Sequence, residues 1–226
     1  MFALSLATNA DVFSILLIDD HPVLRNGIKQ LLRTNPFLTV IAEASTGQDG
    51  VQLALEYEPD LILLDLNMPE FSGIDTLKSL RAHNVSSRIV IFTVSDYEDD
   101  VSDAIIAGAD GYLLKDMEPE ELISSIEQAC MGKLVVSPKL TAILIESMQS
   151  RKKDRLKDKN LQILSHREID VLKLIAQGLP NKLISRRLFI SEGTVKVHVK
   201  NILKKLNLHS RIEVAVWVHN EKITFN

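Results

Sequence analysis

Ser14-Ile-Leu-Leu-Ile-Asp-Asp20 and Asp60-Leu-Ile-Leu-Leu-Asp65 decide how this chain folds, because each is a short apolar run closed by carboxylates. Runs of this length, bounded by turn signals, read as strands buried on both faces of a parallel sheet. Further runs at 40–43, 89–92 and 112–114 alternate with amphipathic stretches at 25–32, 47–55, 74–81 and 97–107, the last stopped by Gly108. Parallel strands need helical crossovers, so the alternation predicts a doubly wound sheet of five strands and five helices over residues 14–136. Sites in such sheets form at the carboxyl ends of the strands. That edge gathers Asp19, Asp20, Asp65, Thr93 and Lys115.

At 226 residues the chain has room for two domains, and 46% apolar with 25% charged residues describes ordinary globular protein. Cys130 stands alone, so no internal disulfide or thiolate cluster forms, which predicts a reducing, cytoplasmic setting. Residues 1–13 lack the basic start of a signal peptide and read as a loose extension. No apolar run approaches the ~20 residues of a membrane helix, so no membrane insertion is expected. The net charge of −4 conceals an asymmetry: residues 1–136 hold 8 Lys+Arg against 22 Asp+Glu, and residues 137–226 hold 18 against 8. The basic half suits a polyanion, although a lysine-rich solvated surface has the same composition.

Residues 137–160 read as a linker, with a short helix over 138–148 and the nearly all-charged stretch 151–159 as a tether. From 161 to 226 the start signals are those of helices. Ser165-His-Arg-Glu168 is a capping box flanked by Leu164 and Ile169 as a staple, and Gly178 and Pro180 end that helix. A short helix over 181–188 follows, then a tight turn at Phe189-Ile190, then a third helix capped by Ser191 and running to about Leu206. Ser210-Arg-Ile-Glu213 reads as a second capping box, opening the last helix. Short helix, tight turn and longer helix outline a helix-turn-helix.

Oxygen ligands of the kind gathered at the acidic edge suit Mg2+, which takes one or two carboxylates plus water and phosphate oxygens. Asp20 and Asp65 supply carboxylates, Asp19 stands behind them or acts through water, and the Asn67 backbone carbonyl offers another oxygen. A carboxylate beside a metal and an ammonium is suited to forming an acyl phosphate. Taken singly, an aspartate after a strand is more often a turn former; the argument rests on the set.

On the third helix, Val195, Val199, Ile202 and Leu206 share a core face, while Lys196, Lys200 and Lys204 share the neighbouring one with Val197 among them. An apolar side chain inside a basic stripe suits a thymine methyl in the major groove. Lys182, Arg186, Arg187 and Lys205 offer phosphate contacts. The last helix carries two apolar stripes, Ile212/Ala215/Val216 and Val214/Trp217/Val218. A small domain buries one of them, leaving the other for a dimer contact or for docking on the acidic half.

Ile18-Asp-Asp-His-Pro22, Leu63-Leu-Asp-Leu-Asn-Met-Pro69 and Gly108-Ala-Asp-Gly-Tyr-Leu-Leu-Lys115 resemble the receiver domain of two-component response regulators. Leu164–Leu172, Ile190–Lys200 and Ser210–Ala215 resemble the LuxR-type helix-turn-helix, and the pair resembles the NarL/FixJ family. The strings Leu114–Glu120, Ile175–Lys182 and Ala215–His219 are similar to its nitrate/nitrite-responsive members. The resemblance implies a flavodoxin-like receiver with strand order 2-1-3-4-5 over 14–136 and an all-α DNA-binding domain over 161–226. It implies Asp65 as phosphoacceptor, Asp19 and Asp20 as the acidic pair, Thr93 and Lys115 on the phosphoryl group, and Tyr112 as the aromatic switch. It also implies Lys196, Val197 and Lys200 as base readers, a sensor histidine kinase and double-stranded promoter DNA as partners, and a homodimer on DNA. Asp116 stands where many receivers carry proline. The protein would be no enzyme beyond its own phosphoryl transfer and dephosphorylation. A haloacid-dehalogenase-like phosphatase would need an aspartate where Asn67 stands. A protein-binding role for the basic half would lack the steep salt dependence of DNA binding.

The acidic and basic halves also imply a closed state, in which the receiver holds the helix-turn-helix inactive until phosphorylation. Charge attraction alone is screened beyond ~8 Å at physiological salt, so a packed interface must add to it.

Overall fold

The apolar runs pair into one parallel sheet in the order β2-β1-β3-β4-β5-β6. Its strands are β1 (Phe13–Ile18), β2 (Leu38–Ala44), β3 (Leu61–Leu64), β4 (Arg88–Thr93), β5 (Gly111–Leu114) and β6 (Val135–Val136). The computed structural model describes residues 12–137, 140, 161–220 and 223. The extension before Val12, the helix expected over 138–148 and the charged tether over 151–159 lie outside the described residues, Leu140 excepted.

The expected five-stranded sheet is corrected to six. Val135 and Val136 pair with Gly111 and Tyr112 at the edge, a stretch too short to leave a periodic pattern in sequence. Alternation along the strands builds two cores. Leu16, Ile18, Ile62, Leu64 and Ile91 face α2 (Gly47–Tyr57), α3 (Gly73–Ala82) and α4 (Glu98–Ala107). Ile15, Leu17, Leu63, Val90 and Leu113 face α1 (Pro22–Leu32) and α5 (Pro119–Cys130). Helix α1 begins a turn earlier than its apolar pattern, since Pro22 is tolerated in the first turn, where no backbone donor is missed.

The second unit is α6 (His166–Ala176), α7 (Asn181–Leu188), α8 (Glu192–Leu206) and α9 (Arg211–Asn220). The Ser165/Glu168 capping box is formed in both directions. At α9 the reciprocal bond slips by one residue: Ser210 Oγ accepts from Glu213 N at 3.2 Å, while the Glu213 carboxylate accepts from His209 N at 2.6 Å. Val195, Val199, Ile202 and Leu206 pack against Val171, Ile184 and the Val214/Trp217/Val218 stripe. Val216, on the other stripe, is exposed. No helix among the described residues is long and apolar enough to cross a membrane.

Candidate functional site

Each strand end delivers its residue to one pocket. The Asp65 N–H donates to Ile18 O at 2.9 Å, tying the end of β3 to that of β1. The following loop folds back so closely that a Cβ on Gly73 would lie 2.1 Å from the Asp65 carbonyl oxygen. Lys115 Nζ stands 2.7 Å from Asp19 Oδ2 and 2.8 Å from Asp65 Oδ2, with its side chain nearly buried. Thr93 is fully buried, and its Oγ1 accepts from Asn67 Nδ2 at 3.3 Å and from Ser95 N at 3.4 Å. The structure therefore brings Asp19, Asp20, Asp65, Asn67, Thr93 and Lys115 together, as their spacing predicts.

Asp65 is 1% exposed, and its Oδ1 has no hydrogen-bond partner among the described residues. A buried carboxylate oxygen left unsatisfied is costly unless something else meets it. Carboxylate oxygens of Asp19, Asp20 and Asp65, with a nitrogen of His21, lie within 4.8 Å of one another. A donor set dominated by oxygen fits a hard divalent cation. Beside the pocket, Tyr112 is fully buried and its hydroxyl donates to Ser95 O at 2.9 Å. Burial, then the charge of Asp100, pushes that phenol above its ordinary pKa. Ser95 carries no sequence signal of this anchoring role, since the bond is made through its backbone.

The basic stripe forms on α8 as expected, with Val197 57% exposed among Lys196, Lys200 and Lys204, and with Arg186 and Arg187 exposed on α7. Two of the expected DNA contacts are occupied by the receiver. Lys182 Nζ lies 2.8 Å from Asp60 Oδ2 and 4.8 Å from the centre of the Phe13 ring, and also donates to Val12 O. Lys196 Nζ donates to Glu58 O at 2.6 Å and lies 3.7 Å from the Glu58 carboxylate and 3.8 Å from that of Glu192. Burial alone would raise Asp60, but Lys182 and Ser14 outweigh it and hold the carboxyl below its usual range. Glu192 moves the other way, pushed up by burial and then by the Asp60 charge.

Nearby, the two backbones touch. A Cβ on Gly132 would fall 1.7 Å from Gly178 O, and both glycines hold positive φ, 98° and 81°. Arg211, at the start of α9, is buried against Leu179 O and Asn181, and burial plus the neighbouring Arg88 push its pKa down to about 9. These receiver residues precede or open β1, β3, β4 and β6, so the helical unit sits on the amino edge of the sheet, opposite Asp65.

A receiver pocket joined to a helix-turn-helix defines a DNA-binding response regulator. Residues 15–127 match the response regulator receiver domain, and 162–218 match the bacterial regulatory proteins of the luxR family. The nitrate/nitrite response regulator NarL of Escherichia coli K12 is 55% identical over 216 residues, covering 96% of this chain and 99% of that protein. NarP of the same strain is 45% identical, with 92% and 94% covered. The crystal structure of the response regulator ChrA, from a heme-sensing two-component system, is 32% identical with TM-score 0.50, covering 93% and 98%. This chain belongs to the LuxR-type two-component response regulators.

Proposed function

We propose that Asp65 accepts a phosphoryl group from a sensor histidine kinase, and that this releases residues 161–226 to bind promoter DNA. The buried, unsatisfied Asp65 oxygen beside Lys115 carries the first half of this reading. In the transfer the phosphorus–nitrogen bond of a phosphohistidine breaks, a bond to Asp65 forms, and histidine keeps the electron pair. Asp19, Asp20, Asp65 and the Asn67 carbonyl would hold Mg2+, which supplies charge neutralisation when bound. Lys115 offsets charge on the incoming group, and Thr93 donates its hydroxyl to it. Hydrolysis of the acyl phosphate resets the switch, and no outside substrate is turned over.

Docking of α8 on the receiver carries the second half, because Lys196 cannot hold Glu58 and a base at once. The receiver unit spans 14–136 and the DNA-binding unit 161–226. Kinship with NarL and NarP supports nitrate or nitrite as the signal, and a luxR-type unit that acts on promoter DNA supports a cytoplasmic setting. The outer stripe of α9, with Val216 exposed, supports pairing of two copies on a two-fold site.

Two measurements test this. Asp65→Asn should abolish labelling by a phosphodonor in Mg2+ while the chain stays folded; undiminished labelling at another residue would overturn the assignment. Residues 150–226 alone should bind operator DNA more tightly than the intact unphosphorylated chain, compared at equal dimer occupancy. Equal or weaker binding would remove inhibition by the receiver.

A further inference from the structure

Beyond the Lys196 contact, α8 and the receiver part to leave an open cleft of about 160 Å3. Its walls come from Lys196, Val197 and Lys200 on α8, Leu55 and Glu58 at the end of α2, and the stretch from His83 to Ser87 between α3 and β4. Two properties of the lining select an occupant. Leu55 and Val197 are 43% and 57% exposed, so apolar surface from both units remains wet inside the cleft. The Lys200 ammonium has no partner among the described residues, whereas the carboxylate of Glu58 faces Lys196. His83 bonds Ser79 O through Nδ1 at 2.8 Å, which leaves its other ring nitrogen uncommitted. The cleft thus offers two exposed apolar side chains and a spare positive charge within an otherwise polar lining, in a volume close to the ~150 Å3 that holds a benzene ring. In the open form Lys196, Val197 and Lys200 would face the flat, acceptor-rich edge of a base. Closure places Leu55 opposite the same side chains.

We propose that this cleft binds a small aromatic carboxylate, its ring between Leu55 and Val197 and its carboxylate on Lys200. Such a ligand touches both units at once and therefore binds only the closed form. It would act as a co-inhibitor, strengthening the hold of the receiver over α8. This rests on the closed state argued above, and it adds a chemical class of effector. Mass action sets its effect: at ten times its dissociation constant, the ligand lowers the open population, and with it apparent DNA affinity, about elevenfold.

Benzoate titrated into the intact unphosphorylated chain is the test, read by calorimetry and by operator binding at constant salt. Saturable one-to-one binding is expected, with a dissociation constant on the order of 1 mM. Benzamide, equal in shape but uncharged, should bind far more weakly. Leu55→Glu puts a carboxylate in the exposed wall and should abolish benzoate binding, while labelling of Asp65 stays normal. Ser86→Trp, which fills the cleft from the receiver side, should do the same. No saturable binding, equal binding of benzamide, or undiminished binding by both variants would overturn the site. If the 150–226 comparison demonstrates closure and benzoate still does not bind, the cleft alone is refuted. If closure itself fails, both ideas fall.

Discussion

Lys196 holds Glu58 in this structure and is assigned to a DNA base in the open form, so its substitution has two opposed effects. In the phosphorylated chain, Lys196→Ala should cost roughly 1–3 kcal/mol at the specific site, as should Lys200→Ala. In the unphosphorylated chain the Lys196→Ala loss should be smaller, because the same change weakens closure, whereas Lys200→Ala should show no such relief. Operator titrations of both variants in both states check this; identical losses for Lys196→Ala in the two states would contradict it. Val197→Ala should alter base preference more than non-specific affinity. The acidic residues were legible because each ends its own apolar run, and convergence at the carboxyl edge follows from parallel topology. Asp60 and Glu58 were not, since their partners Lys182 and Lys196 lie 122 and 138 positions away in the chain. Nothing local distinguishes them from ordinary surface carboxylates.

The elements were readable wherever a period or a cap repeats. Strand β6 escaped because a single pair of valines has no period, and the starts of α1 and α3 were set by Pro22 and by the Ser72 cap rather than by apolar spacing. Ser72 Oγ accepts from Asp75 N at 3.2 Å. The first turn of α8 carries a pH response. Glu192 there faces Asp60, Lys182 and Lys196, with Glu58 beside them. Its closed-form pKa is raised, by burial and then by Asp60, above the usual 4.5. Closing therefore takes up a proton. This contribution to closure is fully present below the open-form value and is lost as pH rises through the raised one. Asp60, held below its usual 3.8, contributes above that value and loses its contribution as pH falls through the lowered one. Closure should accordingly loosen from mildly acidic toward neutral pH, and Glu192→Gln should flatten that dependence. X-ray scattering of the unphosphorylated chain against pH tests this; superimposable profiles for the two proteins would refute it.

At the scale of the molecule, closure depends on two glycine backbones meeting. Gly132→Ala would drive a methyl group into Gly178 O and place alanine at φ 98°, so the contact must open. The unphosphorylated variant should bind operator DNA nearly as tightly as residues 150–226 alone, with Asp65 labelling unchanged. Affinity equal to that of the unaltered chain would show that this contact does not hold the closed form. Neither glycine was legible as an interface residue, because a turn glycine and a docking glycine look alike in one sequence. The strands fix the distance over which the switch works. Asp60 and Asp65 bracket the four residues of β3, and Arg88 and Thr93 are the two ends of β4. At ~3.3 Å per residue, the interface and the phosphoacceptor pocket stand about 17 Å apart across a rigid sheet. A kinase docking at the carboxyl edge meets the same surface whether or not the far edge is covered. The rate at which phosphate is loaded should then be blind to closure, while the lifetime of the released DNA-binding domain is not: the chain can be charged while still shut, and the delay between signal and transcription belongs to the opening step.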